Sequence, residues 1–137
     1  MIGTNTGQII IDSESEIITV RKITRNITTE MGFGVTDVTR IVTAASELTR
    51  NIFVYAGSGT MSWSICETNG NPGIELVFED QGPGIADVEE AMQAGFSTGR
   101  SLGMGLPGTK RLMDEMEIKT TIGEGTVVTI RKYLRRF

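Results

Sequence analysis

The apolar positions of this chain change period along its length, and the changes mark its elements. Gln8 to Asp12 is a short, isoleucine-rich run and predicts a first strand. From Glu16 to Met31 the residues Val20, Ile23, Ile27 and Met31 recur at helical spacing. The many threonines and isoleucines there give little intrinsic helical preference, so burial must hold that helix. Gly32-Phe33-Gly34 breaks the pattern. Thr36 offers an N-cap and Asp37 a first-turn carboxylate. Val38, Ile41, Val42, Ala45, Leu48, Ile52 and Tyr55 then line one stripe of the strongest helix in the sequence, which Gly57 and Gly59 end.

Thr60 to Cys66 switches to a period of two. Met61, Trp63 and Ile65 take one face, and Ser62, Ser64 and Cys66 the other. Asn69-Gly70-Asn71-Pro72-Gly73 is a turn cluster, and Ile74 to Asp80 alternates again, so the two runs read as a hairpin. Asp87 to Ala94 reads as a short helix, with Asp87 and Glu90 spaced as a capping box and Gly95 beyond its end. Phe96 to Gly105 is glycine-rich and irregular. Pro107 suits the first turn of a last helix carrying Leu112, Met113 and Met116. Ile118 to Ile122 and Thr126 to Lys132 form a closing hairpin around Gly123-Glu124-Gly125. This order predicts an α/β (α+β) two-layer sandwich, with helices on one face of a mixed, largely antiparallel sheet. It lacks the strict strand–helix alternation of a doubly wound fold and any Walker-type glycine–lysine loop.

Composition narrows the function classes. A chain of 137 residues is read as a single domain, 1–137, and 39% apolar residues supply its core. No apolar run approaches the ~20 residues that span a bilayer, and Met1 to Asp12 lacks a basic segment followed by an apolar run. A cytoplasmic protein without membrane partners is expected. There is no histidine, which excludes a Ser-His-Asp triad, a histidine general base and zinc sites built on cysteine and histidine. The single Cys66 forms no internal disulfide. A net charge of −4 argues against a nucleic-acid partner. The basic tail Arg131 to Phe137 reads first as a solvated strand end, with a docking patch as the alternative.

Three stretches carry candidate chemistry. In Asp80-Gln81-Gly82-Pro83-Gly84-Ile85, Asp80 keeps the parity of Ile74, Leu76 and Phe78 and so points to the core side at its rim. A carboxylate there needs donors; adenine's exocyclic amine is one source, and the turn made by Gly82 and Gly84 is another. Thr126 shares parity with Val128 and Ile130 and also points inward. Glu47 and Asn51 stack four apart on the edge of their helix, a glutamate able to act as base and an asparagine able to offer Mg²⁺ a neutral oxygen, or a plain surface pair. Gly99 to Leu106 is the phosphate candidate. Gly103 and Gly105 let backbone amides approach an anion, the following helix adds its N-terminal partial charge, and Arg100 is the local cation.

The joint order is more specific than its parts. Glu-x-x-x-Asn on a helix, Asp-x-Gly-x-Gly after a strand, Gly-x-Gly before a helix and Gly-x-Gly-Thr in a last hairpin resemble the Bergerat fold, the ATP-binding domain shared by gyrase, Hsp90, histidine kinases and MutL proteins. The resemblance runs from about Val20 to Lys132. It implies ATP and Mg²⁺ as cofactors, with Asn51 as metal ligand and Asp80 on adenine. Gly82, Gly84 and Ile85 then lie in the adenine turn, and Arg100, Gly103, Met104, Gly105 and Leu106 along the phosphates. Thr126 supports Asp80. The chain lacks a dimerising histidine helix, a transducer and a transmembrane input, and is similar to the small bacterial serine-protein kinases of sigma-factor switches. The run Gly103 to Glu115 most resembles the switch kinase of the stressosome. That implies Glu47 as general base, a STAS-domain protein as substrate or scaffold, and a regulatory phosphatase as further partner. An anti-sigma-factor kinase of the same fold is the alternative, and a nucleotide-dependent binding module without catalysis the third.

Overall fold

A computed structural model describes residues 6–85, 92 and 105–134. Its elements are β1 (Thr6–Ile11), α1 (Glu16–Met31), α2 (Val35–Ala56), β2 (Gly59–Thr68), β3 (Asn71–Asp80), α3 (Gly105–Leu112), β4 (Glu115–Thr121) and β5 (Gly125–Tyr133). The five strands form one sheet in the order β1-β2-β3-β5-β4, and every pairing among the described residues is antiparallel.

The β2–β3 hairpin sets the register of the sheet. Asn69 and Gly70 have φ of 53° and 80°, the left-handed pair that a tight two-residue turn requires. Thr68 therefore faces Asn71, and the register carries Met61 opposite Phe78 and Gly59 opposite Asp80. The strands begin closer to the turn than expected, so Asn71, Pro72 and Gly73 belong to β3.

One sheet face and two long helices share the core. Ile9, Ile11, Met61, Ile74, Leu76, Phe78, Val128 and Ile130 of the sheet meet Val20 and Ile27 of α1 and Val38, Ile41, Val42, Ala45, Leu48 and Ile52 of α2. Burial at ~25 cal/mol per Å² of apolar surface is what holds a helix as threonine-rich as α1. Its bounds, Glu16–Met31, are those read from the periodicity, and Gly32 at φ 100° closes it by donating to the carbonyls of Thr28 and Thr29.

Three expectations need correction. The N-cap of α2 is Gly34, not Thr36; Gly34 is extended and its carbonyl accepts the N–H of Val38 at 2.9 Å. Tyr55 leaves the buried stripe and is 39% exposed. Met113 lies just past α3, and Met116 belongs to β4 with Ile118, not to a helix. The expected helix at Asp87–Ala94 falls largely on residues outside those described. On the sheet face away from the helices, Arg131 is held by Glu75 at 2.7 Å, Glu115 at 3.1 Å and Glu117 at 3.5 Å. The Glu75 hydrogen bond raises its pKa further. Burial, then Glu75, pushes the Cys66 thiol up on the same face.

Candidate functional site

The strand alternation of β3 delivers Asp80 to the inner face. Ile74, Leu76 and Phe78 are buried on that parity, and Asp80, last in the strand, is half-buried at the rim. Its Oδ1 accepts the Gly82 N–H at 2.9 Å, so one oxygen closes the turn. Among the described residues none donates to Oδ2. Gly82 must lack a side chain here, because a Cβ would stand 2.7 Å from the Ala56 Cβ and 3.1 Å from Asp80 Oδ1. The Asp80 turn thus rests on the last turn of α2.

Thr126 is the direct cross-strand partner of Asp80, inward and 8% exposed. Its hydroxyl pairs at 3.0 Å with that of Thr120 on β4. Thr120 was not singled out from the sequence, although it shares parity with Met116 and Ile118. It is the hub of this corner: its oxygen accepts the Ile85 N–H at 2.8 Å and lies 3.2 Å from the Gly125 carbonyl.

The two glycine motifs, far apart in sequence, interlock. Gly84 has φ 80°, and a Cβ on it would stand 2.7 Å from the Thr121 carbonyl oxygen. Gly125 has φ 131° and packs so closely on the Asp80 carbonyl that a side chain there has no room. The Gly123 N–H donates to the Pro83 carbonyl at 2.9 Å. The turn after β3 is therefore clamped by the turn between β4 and β5. An open groove of about 560 Å³ runs along this end of the sheet, lined by Asp80, Gln81, Ile118, Thr120, Gly125 and Thr126 together with the outward Glu79, Lys119 and Val127.

Glu47 and Asn51 sit on α2, both half-buried at the edge of its apolar stripe. Asn51 precedes Ala56 by five residues and Glu47 by nine, which places them roughly 7 Å and 14 Å back along the helix axis. The Glu47 carboxylate, 15% exposed, lies 3.5 Å from Arg50 Nη1. So loose a pair with an exposed arginine holds it with about 0–1 kcal/mol. α3 packs against α2, with Leu106 against the core. Gly105 begins α3, and the expected Arg100, Gly103 and Met104 lie outside the described residues. Among the described residues no three acidic, cysteine or histidine side chains converge on a metal. The donor chemistry fits only an ion that takes most of its ligands from elsewhere.

An antiparallel sheet with its helices on one face, and a carboxylate and clamped glycine turns at one end, has the architecture of a nucleotide-binding ATPase domain. Residues 12–132 match the histidine kinase-like ATPase domain, and the chain belongs to that family. Within it, the chain is close to a serine/threonine-protein kinase. It is 47% identical over 123 residues to the serine/threonine-protein kinase RsbT of Bacillus subtilis (strain 168), covering 90% of this chain and 92% of that one. It is 35% identical over 108 residues to the anti-sigma F factor of Caldanaerobacter subterraneus subsp. tengcongensis, covering 73% of each. The crystal structure of the RsbU and RsbW domains of Rv1364c from Mycobacterium tuberculosis shares the fold, with a TM-score of 0.66 at 20% identity over 97% of this chain and 34% of that one.

Proposed function

We propose that this protein is an ATP·Mg²⁺-dependent serine/threonine-protein kinase that phosphorylates a STAS-domain partner in a bacterial stress or sigma-factor switch. The observation that carries the reading is the order of groups along α2. The Asp80 turn rests on Ala56, and along the helix axis Asn51 lies ~7 Å back and Glu47 ~14 Å back, the order of a base, its phosphates and an acceptor hydroxyl.

In this reading Asp80 Oδ2 accepts from the adenine amine, and Thr126 and Thr120 hold the strand ends around it. Asn51 would offer Mg²⁺ a neutral oxygen, and the ion would supply charge neutralisation at the phosphates. Gly105 and Leu106, at the start of α3, border the phosphates, and the same role is assigned to Arg100, Gly103 and Met104, which lie outside the described residues. As the partner's serine or threonine oxygen bonds to the γ-phosphorus, its proton passes to Glu47, the β–γ bridging bond breaks and ADP leaves. Arg50 gives up its hold on Glu47 at little cost. A regulatory phosphatase is a second partner in such a switch. Cytoplasmic placement accords with the absence, among the described residues, of a helix long and apolar enough to cross a membrane.

The similarity to an anti-sigma F factor supports a second reading, a kinase of this fold whose main work is holding a sigma factor. One experiment separates the two: capture from native extract on the tagged protein with Mg·ATP, then mass spectrometry of phosphorylated serine and threonine. A phosphorylated STAS-domain protein is expected. A captured sigma factor without one would favour the second reading. Nucleotide binding with no phosphorylated partner would leave only a binding module.

A further inference from the structure

Lys132 stands where the pattern of β5 asks for an apolar side chain. It shares parity with Val128 and Ile130, faces the helices and is 6% exposed. A buried ammonium is costly unless its charge and its donors are met. Here Nζ donates to the carbonyl of Leu112, the last residue of α3, at 2.9 Å. It lies 3.5 Å from Asp114 Oδ1 and 3.9 Å from Asp37 Oδ1. Three places meet at one cation: the end of α3, the turn into β4 and the first turn of α2.

The partners are themselves fixed. Asp114 Oδ2 accepts the Tyr133 N–H at 2.9 Å, and the Asp114 N–H donates to the Arg131 carbonyl at 3.0 Å. Arg40 lies 3.0 Å from Asp37 Oδ1. The signs also suit the helices. The C-terminal end of α3 carries partial negative charge and takes the cation, while the N-terminal end of α2 takes Asp37.

α3 has eight residues and is ~12 Å long. Lys132 thus grips it a full helix length from Gly105. Its C-terminal end is tied beside Asp37 at the start of α2, and its body packs on the same helix that carries Glu47 and Asn51 further along. The Asp80 turn is held by a different set, Ala56, Thr120 and Gly125.

We infer that Lys132 is a positioning residue for the phosphate end of the nucleotide site, fixing α3 against α2 without touching the nucleotide. The inference rests on the ATP-binding reading above. It predicts that Lys132 governs how well β- and γ-phosphates are held and leaves the adenine half alone.

Calorimetry on the full chain with ATP and with AMP, both with Mg²⁺, tests it. Lys132→Met should bind AMP within about twofold of wild type and lose about tenfold or more in ATP affinity. Lys132→Arg, which keeps a cation and donors, should recover most of the loss. A general loss of stability would weaken both nucleotides equally and leave their ratio unmoved. If Lys132→Met does not fold, the same ratio is read on Lys132→Gln, whose amide still donates to the Leu112 carbonyl. An unchanged ATP-to-AMP ratio in a folded, uncharged variant overturns the inference while the functional reading stands. A wild type that does not prefer ATP to AMP overturns both.

Discussion

The two oxygens of Asp80 have separate tasks. Oδ1 closes the turn on the Gly82 N–H, and in the proposed site Oδ2 accepts from adenine. Asp80→Asn keeps a carbonyl oxygen for Gly82 and turns an amide donor toward the amine of adenine. The expected result is an unchanged melting temperature with ATP affinity down ~10–100-fold, the size of a lost charge-assisted hydrogen bond. Wild-type affinity in calorimetry would take Asp80 out of the adenine site. Glu47 and Asn51 separate in the same way. Glu47→Ala should keep nucleotide affinity and lose ~10²–10⁴-fold in transfer rate, the usual worth of a general base. Asn51→Ala should damage Mg·ATP binding and transfer together. Radiolabel transfer beside an ATP titration checks both, and full transfer by Glu47→Ala would sink the base assignment. Away from the site, Thr24 is fully buried and its Oγ1 has no partner among the described residues. Thr28, Ser46 and Thr49 each return a hydroxyl at 2.8 Å to the carbonyl four residues back, and Thr24 does not. Thr24→Val replaces the orphan hydroxyl with a methyl of the same shape. It should stabilise the fold by ~1 kcal/mol in urea unfolding, and a loss of stability would show the hydroxyl to be paired in solution.

At the scale of elements, periodicity was legible wherever one face is buried. It located α1 to the residue and paired β2 with β3, because Asn69-Gly70 admits one hairpin register. It failed where two periods fit the same residues. Leu112, Met113 and Met116 suit a helix, but Met116, Ile118 and Thr120 suit a strand equally, and pairing with β5 decides for the strand. The start of α2 was misplaced because glycine serves at an N-cap nearly as well as threonine. The glycine turns were visible as motifs, but their mutual clamp was not, since it depends on which backbone atoms meet across the sheet. Gly125 and Gly123 test that clamp by contrast. Both have positive φ, but Gly123 opens on empty space and Gly125 lies on the Asp80 carbonyl. Gly123→Ala should cost only the ~1–2 kcal/mol of a left-handed residue and keep ATP binding. Gly125→Ala adds a backbone collision and should cost more in unfolding and abolish binding. Equal effects of the two changes would show that the clamp does not support the site.

At the scale of the whole molecule, the core and the site occupy different ends of one register. Apolar residues fill the middle of the inner sheet face, and at its end the same parities turn polar at Asp80, Thr120 and Thr126. The polar end was legible as inward parity at Asp80 and Thr126. That both belong to one corner was not, because β5 pairs with β3 across 46 positions of sequence, from Asp80 to Thr126. A ligand seated there bridges α2, β3 and the last hairpin, so binding should be felt by the cooperative fold as a unit. Ligand that binds the folded state alone adds RT ln(1 + [L]/Kd), about 2.7 kcal/mol at one hundred times Kd. For a chain of this size that corresponds to roughly 10 °C in melting temperature. Mg·ATP should produce that rise in wild type. Asp80→Asn, weakened ~10–100-fold, should show at most about half of it at the same concentration. Asn51→Ala should respond alike with Mg²⁺ or with a chelator, whereas wild type should lose much of its rise when Mg²⁺ is removed. A wild-type rise indifferent to Mg²⁺ would take the metal from Asn51. No rise at all would take ATP from the protein, and every role assigned around Asp80 would have to be argued for another ligand.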